Sequence, residues 1–211
     1  MEEEHMKTNS NTYTVIYSAV MVVIVAFLLA FVSQALKSRQ DANVALDIKK
    51  QILNSLNLRG LSDADAEAKY QEVVKQEETA GEGLTLYTCE IDGEPKYVVN
   101  VKGMGLWGAI YGYISINADK QTVYGAYFNH DSETAGLGAE IKDSQKWQEL
   151  FQGKQIFKDG EVMLGVEKKV ENPDFEVDAV TGATLTSNGV RDMLRDKKTG
   201  IGAYVELLKN K

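Results

Sequence analysis

Cysteine and histidine are almost missing from this chain. Cys89 is the one cysteine among 211 residues, which excludes an intramolecular disulfide and any all-cysteine zinc or iron–sulfur site. His5 and His130 are the two histidines, too few for a histidine-based metal cluster, so no metal site is expected. Basic residues are outnumbered, 23 Lys and Arg against 31 Asp and Glu, for a net charge of −8. Without a dense basic stripe, a chain of this sign does not bind a phosphate backbone, and nucleic acid is excluded as a partner. Also lacking is any acid–base pair or nucleophilic triad that would support substrate chemistry. Cys89 itself lies in an apolar, strand-like run and reads as a buried, inert thiol.

What the chain does have is one long uncharged stretch. "VIYSAVMVVIVAFLLAFV", 15 to 32, has Ser18 as its only clearly polar member. As a helix it crosses roughly 27 Å, close to a hydrocarbon core. A cleavable signal peptide is the rival, since "SQA" at 33 to 35 has the small-x-small form. The run exceeds the usual length of about 7–15 apolar residues, which favours a retained anchor. Lys37, Arg39, Lys49 and Lys50 follow the run and Lys7 precedes it, so a count of flanking charge puts the C-terminal part in the cytoplasm.

Past the anchor, Val44, Leu46, Ile48, Ile52, Leu53 and Leu56 form a broad apolar helical face, and Ser62 is placed to cap a second helix reaching about residue 76. "EETAGEG", 77 to 83, breaks that pattern. Strand-like runs follow at 84–91, 96–102, 106–116 and 123–129, with turns at "DGEP" and "NADKQ", which suits antiparallel pairing. "SQKWQELF", 144 to 151, predicts a capped helix with Trp147, Leu150 and Phe151 on one face. A strand is predicted within 162–170, a helix carrying Val190, Met193 and Leu194, and a last helix at "GAYVELL". The expected fold is α+β, with a mainly antiparallel sheet and flanking helices behind one transmembrane helix. The expected divisions are a tail over 1–13, the anchor over 14–36, a helical connector packed on the domain over 37–80, and the domain over 81–211.

Three glycine-marked stretches stand out. "GMGLWG", 103 to 108, satisfies G-x-G-x-x-G after a strand, but the β-rich "AIYGYISI" follows where a dinucleotide site needs a helix. NADH binding here is rejected, which also argues against a free-standing flavin reductase. A tight turn is the better reading, with Trp107 either in the core or a flat wall for a planar ligand, and core favoured by the residues alone. "HDSETAGLGAEI", 130 to 141, reads as a surface connection. "DAVTGATLTSNGV", 178 to 190, sets Thr181, Thr184, Thr186 and Ser187 among small residues where a helix begins, near Thr186 or Ser187. Such a loop is either a helix cap with spare threonines or an anion site, with phosphate as the natural guest.

"DAVTGATLTS" resembles the flavinylation motif of the FMN-binding domain family, Asp-x-x-Ser/Thr-Gly-Ala-Thr/Ser-x-Ser/Thr. The match covers Asp178, Thr181, Gly182, Ala183, Thr184 and Thr186, with Leu185 at the free position. "KGMGLWG" and "ETAGLG" resemble two further family stretches in the expected order, the latter with Ala135 where proline is expected. With its anchor, the chain is similar to the C subunit family of bacterial sodium-translocating NADH:quinone oxidoreductases. The G subunit of the Rnf-type ferredoxin:NAD oxidoreductases is a close relative; "GLWG" and "KWQELFQGK" favour the former.

The resemblance implies FMN joined through its phosphate to the Thr186 hydroxyl by a separate flavin transferase that takes FMN from FAD. It places Trp107, Glu133, Thr134, Leu137 and Gly138 around the isoalloxazine ring, with Lys168 or Lys169 offsetting the cofactor's negative charge. It implies an electron relay in the inner membrane, with NADH oxidation and quinone reduction on partner subunits. It also puts the domain outside the cytoplasm, against the charge count. The reading from another class is a membrane-tethered assembly module whose threonine loop is only a cap.

Overall fold

In the computed structural model, residues 10–81 and 83–211 are described; residues 1–9, and with them most of the expected 1–13 tail and His5, lie outside. The chain divides into two compact units, one up to Ala45 and the other Leu46–Lys211. Helix α1, Asn11–Ser55, runs through the division. The Ser10 hydroxyl accepts the Tyr13 N–H at 3.2 Å, which satisfies one of the free donors at its start. In the first unit the apolar side chains from Val15 to Val32 are exposed on every side of the helix. A helix apolar all round matches a low-dielectric surrounding rather than water, and this one is long and apolar enough to cross a membrane.

The second unit begins with the last turns of α1, where Ile52 and Leu53 are buried. The helix stops because Asn57 takes a left-handed φ of 62°. The Leu58 N–H then reaches the Leu53 carbonyl and the Asn57 N–H the Asn54 carbonyl, which closes the last turn. Helix α2, Asp63–Val73, starts at Ser62, whose hydroxyl accepts the Asp65 N–H as the sequence predicts.

Five strands follow as an antiparallel meander in sequence order: β1 Val74–Gly81, β2 Leu84–Ile91, β3 Glu94–Met104, β4 Ala109–Ile116 and β5 Val123–His130. β1 corrects the expected extension of helix and breaker over 74–81. It is an edge strand with its side chains largely in solvent, so it carries charge instead of an apolar alternation that sequence reasoning could detect. The β2–β3 turn is Asp92-Gly93, both with positive φ, the two-residue geometry that matches strand twist. The two faces of the sheet bury separate clusters. Ile52 and Leu53 of α1, Leu56 just past its end, and Ala66 and Val73 of α2 pack with Tyr87, Cys89, Val98 and Tyr113 on one face. Cys89 is 1 % exposed, and burial pushes its thiol up to about 12.

The opposite face carries the larger core, including Val99, Val101, Ile110, Ile114 and Phe128. Short elements cover it: α3 Glu140–Asp143, α4 Gln145–Glu149, β6 Phe157–Lys158, β7 Glu161–Val162, β8 Gly165–Glu167, β9 Glu176–Asp178, α5 Thr184–Arg195, a 3-10 turn at Ile201–Tyr204 and α6 Val205–Lys209. α4 is capped by Ser144, whose hydroxyl accepts the Trp147 N–H at 3.3 Å. It ends before Leu150, which stands exposed, so the expected Trp147–Leu150–Phe151 face loses its middle member. Trp147 and Phe151 meet instead around Phe128, with ring centroids 5.0–5.5 Å apart. β8 and β9 pair in parallel, and α5 lies on β8 and on β3. Met193 occupies the space that a side chain at Gly103 would need.

Candidate functional site

The three glycine-marked stretches meet on the α5 side of the sheet. The 105–108 turn closes β3 to β4 with the Gly105 N–H on the Gly108 carbonyl at 2.8 Å. The 131–139 loop leaves β5, and the 178–183 loop leads from β9 into α5. Between them lies an open cleft of about 390 Å³, lined by Leu106, Trp107, Glu133, Thr134, Leu137, Gly138 and the run Gly182 to Thr186. That volume falls in the range of roughly 300–1,000 Å³ typical of small-molecule and cofactor sites.

Helix α5 begins at Thr184, two or three residues earlier than the sequence suggested, and among the described residues no side chain caps it. Thr186 and Ser187 are therefore inside the first turn, and both are buried. The Ser187 hydroxyl accepts the Val180 N–H at 3.1 Å and ties the loop to the helix it feeds. The Thr186 hydroxyl donates to Glu133 Oε2 at 2.6 Å, in a buried pair. Neither makes the cap that the assembly-module reading requires. The first-turn N–H groups of α5 have no carbonyl to bind within the helix, and they give the cleft a positive end.

Glu133 sits at the centre of the arrangement. Its Oε1 accepts the Trp107 N–H at 2.8 Å, and its own N–H donates to His130 Nδ1 at 3.2 Å. Burial alone would push its carboxyl up. The Thr186 hydroxyl and the N–H groups of Trp107, Gly108 and Leu106 outweigh that and hold it below the ordinary glutamate range. A carboxylate with these donors stays charged and fixed.

The glycines here serve the approach of the loops to one another. A side chain on Gly138 would meet Glu133 Oε2 and the Thr186 hydroxyl, and one on Gly105 would meet Glu133 Oε1. Gly182 has a φ of +78° and faces Leu137, so it too is set by the loop and not by a guest.

Of the residues singled out by sequence, Trp107, Glu133, Thr134, Leu137, Gly138, Gly182, Ala183, Thr184, Leu185 and Thr186 come together on the cleft. Asp178 and Thr181 do not: both side chains are exposed, and Asp178 contributes its carbonyl to the Trp147 indole N–H at 2.8 Å. Lys168 and Lys169 are exposed beyond the end of β8 and line no part of the cleft. The positive end at the cleft is that of α5. Trp107 corrects the reading of its residue type, for at 66 % exposure it is a wall and not core. Leu106 was missed, although it lies inside the quoted "GLWG". His130 was also missed as a site residue, and Ser187 was read as a loop hydroxyl near the helix start without its partner, since neither sequence spacing nor motif points to the backbone groups they bind.

The arrangement suits a flavin mononucleotide. Trp107, Leu106, Leu137 and Leu185 are apolar side chains between 43 % and 66 % exposed around one cleft, an uncovered surface of the kind a planar ring fills. The α5 N-terminus suits a phosphate. The fold and site together thus define a flavin-binding domain.

The comparisons agree with that class. Residues 105–197 match the FMN-binding domain family. Among curated proteins, the Na(+)-translocating NADH-quinone reductase C subunit of Pseudomonas aeruginosa is 34% identical over 158 residues, covering 71% of this chain and 59% of that protein. Its counterpart from Pasteurella multocida is 40% identical over 111 residues, 51% of this chain and 42% of that protein. The chain thus spans about half the length of the curated relatives it matches. The crystal structure of the C subunit from Parabacteroides distasonis is 35% identical, with a TM-score of 0.75, covering 83% of this chain and 98% of that one. The chain belongs to the family of Na(+)-translocating NADH-quinone reductase C subunits.

Proposed function

We propose that this chain is the membrane-anchored flavoprotein of a sodium-translocating NADH:quinone oxidoreductase, carrying FMN as a phosphoester on Thr186 and relaying electrons between partner subunits. The observation that carries the reading is the buried Thr186 hydroxyl, set in the first turn of α5 on the cleft and held at 2.6 Å by Glu133. FMN supplies a ring that accepts and releases electrons; everything else falls to the chain. The α5 N-terminus and the Thr184 hydroxyl would hold the phosphate. Trp107, Leu106, Leu137 and Leu185 would hold the ring and shield it from water, and Thr134 would offer it a hydroxyl. The covalent bond makes the cofactor a fixed part of the protein without constraining the ring's redox state. A relay needs no acid–base pair of its own, so NADH oxidation, quinone reduction and sodium movement belong to the partners.

A separate flavin transferase makes the attachment, taking FMN from FAD. The apolar run within α1 anchors the chain as a single pass in the bacterial inner membrane, with the flavin domain on the extracytoplasmic side. The flanking lysines and arginine point the other way, and the assembled complex, not this count, sets the topology. The test is in-gel flavin fluorescence of the denatured chain, made with and without co-expressed transferase, beside Thr186→Val. A band that requires both the transferase and Thr186 supports the reading. A dark wild-type band in the presence of transferase overturns it.

A further inference from the structure

Thr186 is a poor nucleophile as it stands. A threonine hydroxyl attacks phosphorus only as its proton is removed, and the group that receives the proton must already be within hydrogen-bond reach. The helix that carries Thr186 offers none. Its first turn, Thr184 to Ser187, has no ionisable side chain, nor does the 103–108 turn packed beside it. Among the described residues, the one ionisable group on the Thr186 hydroxyl comes from the third stretch, where Glu133 Oε2 accepts it at 2.6 Å.

We infer that Glu133 orients the Thr186 hydroxyl and takes its proton during flavin attachment, an inference that rests on the covalent-flavin reading above. Thr186 Oγ1 bonds to the flavin-side phosphorus of a flavin dinucleotide. The bond from that phosphorus to the bridging oxygen of the diphosphate breaks, and its electron pair leaves with the nucleoside monophosphate. The Oγ1–H bond breaks, and the proton passes to Glu133 Oε2 and from there to solvent. Nothing is oxidised or reduced.

The geometry around Glu133 is built for this and not only for packing. Its far oxygen is pinned by the Trp107 N–H at 2.8 Å, so the near oxygen is aimed at Thr186. Gly138 leaves room for both groups, since a side chain there would meet each of them. With its proton directed at Glu133, the hydroxyl turns its lone pairs elsewhere, free to bond phosphorus. Glutamine in this place would have to keep its amide oxygen on the backbone donors. Its NH2 would then face Thr186 and occupy a lone pair instead of accepting a proton. The other titratable groups near Glu133 are His130, whose Nδ1 accepts the Glu133 N–H, and Asp131 on the same loop. Among the described residues none forms an ion pair with Glu133.

The experiment uses the full chain in detergent, purified without flavin, with a flavin transferase and FAD across about pH 5–8. Attachment is timed by in-gel fluorescence and intact mass for the wild type, Glu133→Gln, Glu133→Asp and Thr186→Val. Glu133→Gln is expected to slow attachment by about a hundredfold at saturating FAD, with reversible FMN binding followed by flavin fluorescence to separate any change in affinity from the change in rate. The ratio of wild-type to Glu133→Gln rates cancels the transferase's own pH dependence and is expected to fall toward one on acidification. Attachment at the wild-type rate in Glu133→Gln overturns the proposal, as does a slowing that is the same at every pH. Should Glu133→Gln not fold, Glu133→Asp carries the test, because a carboxylate one methylene short must slow attachment and a wild-type rate overturns the idea. Failure of the wild type itself to take flavin overturns the covalent-flavin reading and the proposal with it.

Discussion

The indole N–H of Trp147 donates to the carbonyl oxygen of Asp178 at 2.8 Å. This bond joins the core, where Trp147 packs against Phe128 and Phe151, to the residue at which β9 ends and the threonine loop begins. The position of Thr186 therefore depends on an aromatic cluster that touches no ligand. Trp147→Phe removes the donor and shrinks the ring. It is expected to cost about 1–3 kcal/mol of stability, measured by urea unfolding, and to slow flavin attachment although every cleft residue is intact.

Gly138→Ala places a methyl group against both Glu133 Oε2 and the Thr186 hydroxyl. Overpacking of this kind costs about 1–3 kcal/mol, and here it must part the pair. The expected result is a lower Tm together with loss of most covalent flavin. Gly136→Ala is the comparison. That glycine also has a positive φ, of 72°, but a methyl group there meets nothing. It should lose stability through backbone strain and keep its capacity for flavin.

Acid should destabilise the flavin domain through two buried glutamates. Burial raises the carboxyl of Glu176, but the N–H groups of Asn172 and Glu171 outweigh it and hold it below the ordinary range, as the hydroxyl and backbone donors do for Glu133. A folded value below the unfolded one contributes stability that is complete above the unfolded value, about 4.3, and is lost as pH falls through the folded value. The Tm should hold from neutral pH to about 5 and drop below it. Glu176→Gln should lower the neutral-pH Tm and flatten the acid drop, leaving flavin attachment near the wild-type level.

How much of the fold and site was legible in the chain depends on what kind of signal each element leaves. β2 to β5 alternate and end at turn residues, so their places could be read closely, and the apolar face of α5 was visible in Val190, Met193 and Leu194. β1 was not visible, because an exposed edge strand needs no apolar side. Trp107 was misjudged from its residue type, since large aromatics are mostly buried. The motifs brought ten residues to one cleft from three distant stretches. They could not tell that Asp178 works through its carbonyl, or that Glu133 is held by the backbone of the 105–108 turn. Such roles depend on main-chain groups, which every residue has.

That bare tryptophan gives a further test. Trp107→Ala removes no core contact of consequence and should change stability by less than about 0.5 kcal/mol. Reversible FMN binding to the chain purified without flavin should weaken several-fold, because the ring loses an aromatic wall. Equal affinity in the two proteins, by fluorescence titration, would remove Trp107 from the ring site.

The central claim is that Thr186 carries the flavin. The most direct measurement is tandem mass spectrometry of peptides from the chain co-produced with a flavin transferase. Attachment at Thr186 predicts one added FMN, less one water, on the peptide spanning 178–190, with the fragment ions placing it on that residue. Flavin on Thr181, Thr184 or Ser187, or a peptide of unmodified mass, would contradict it.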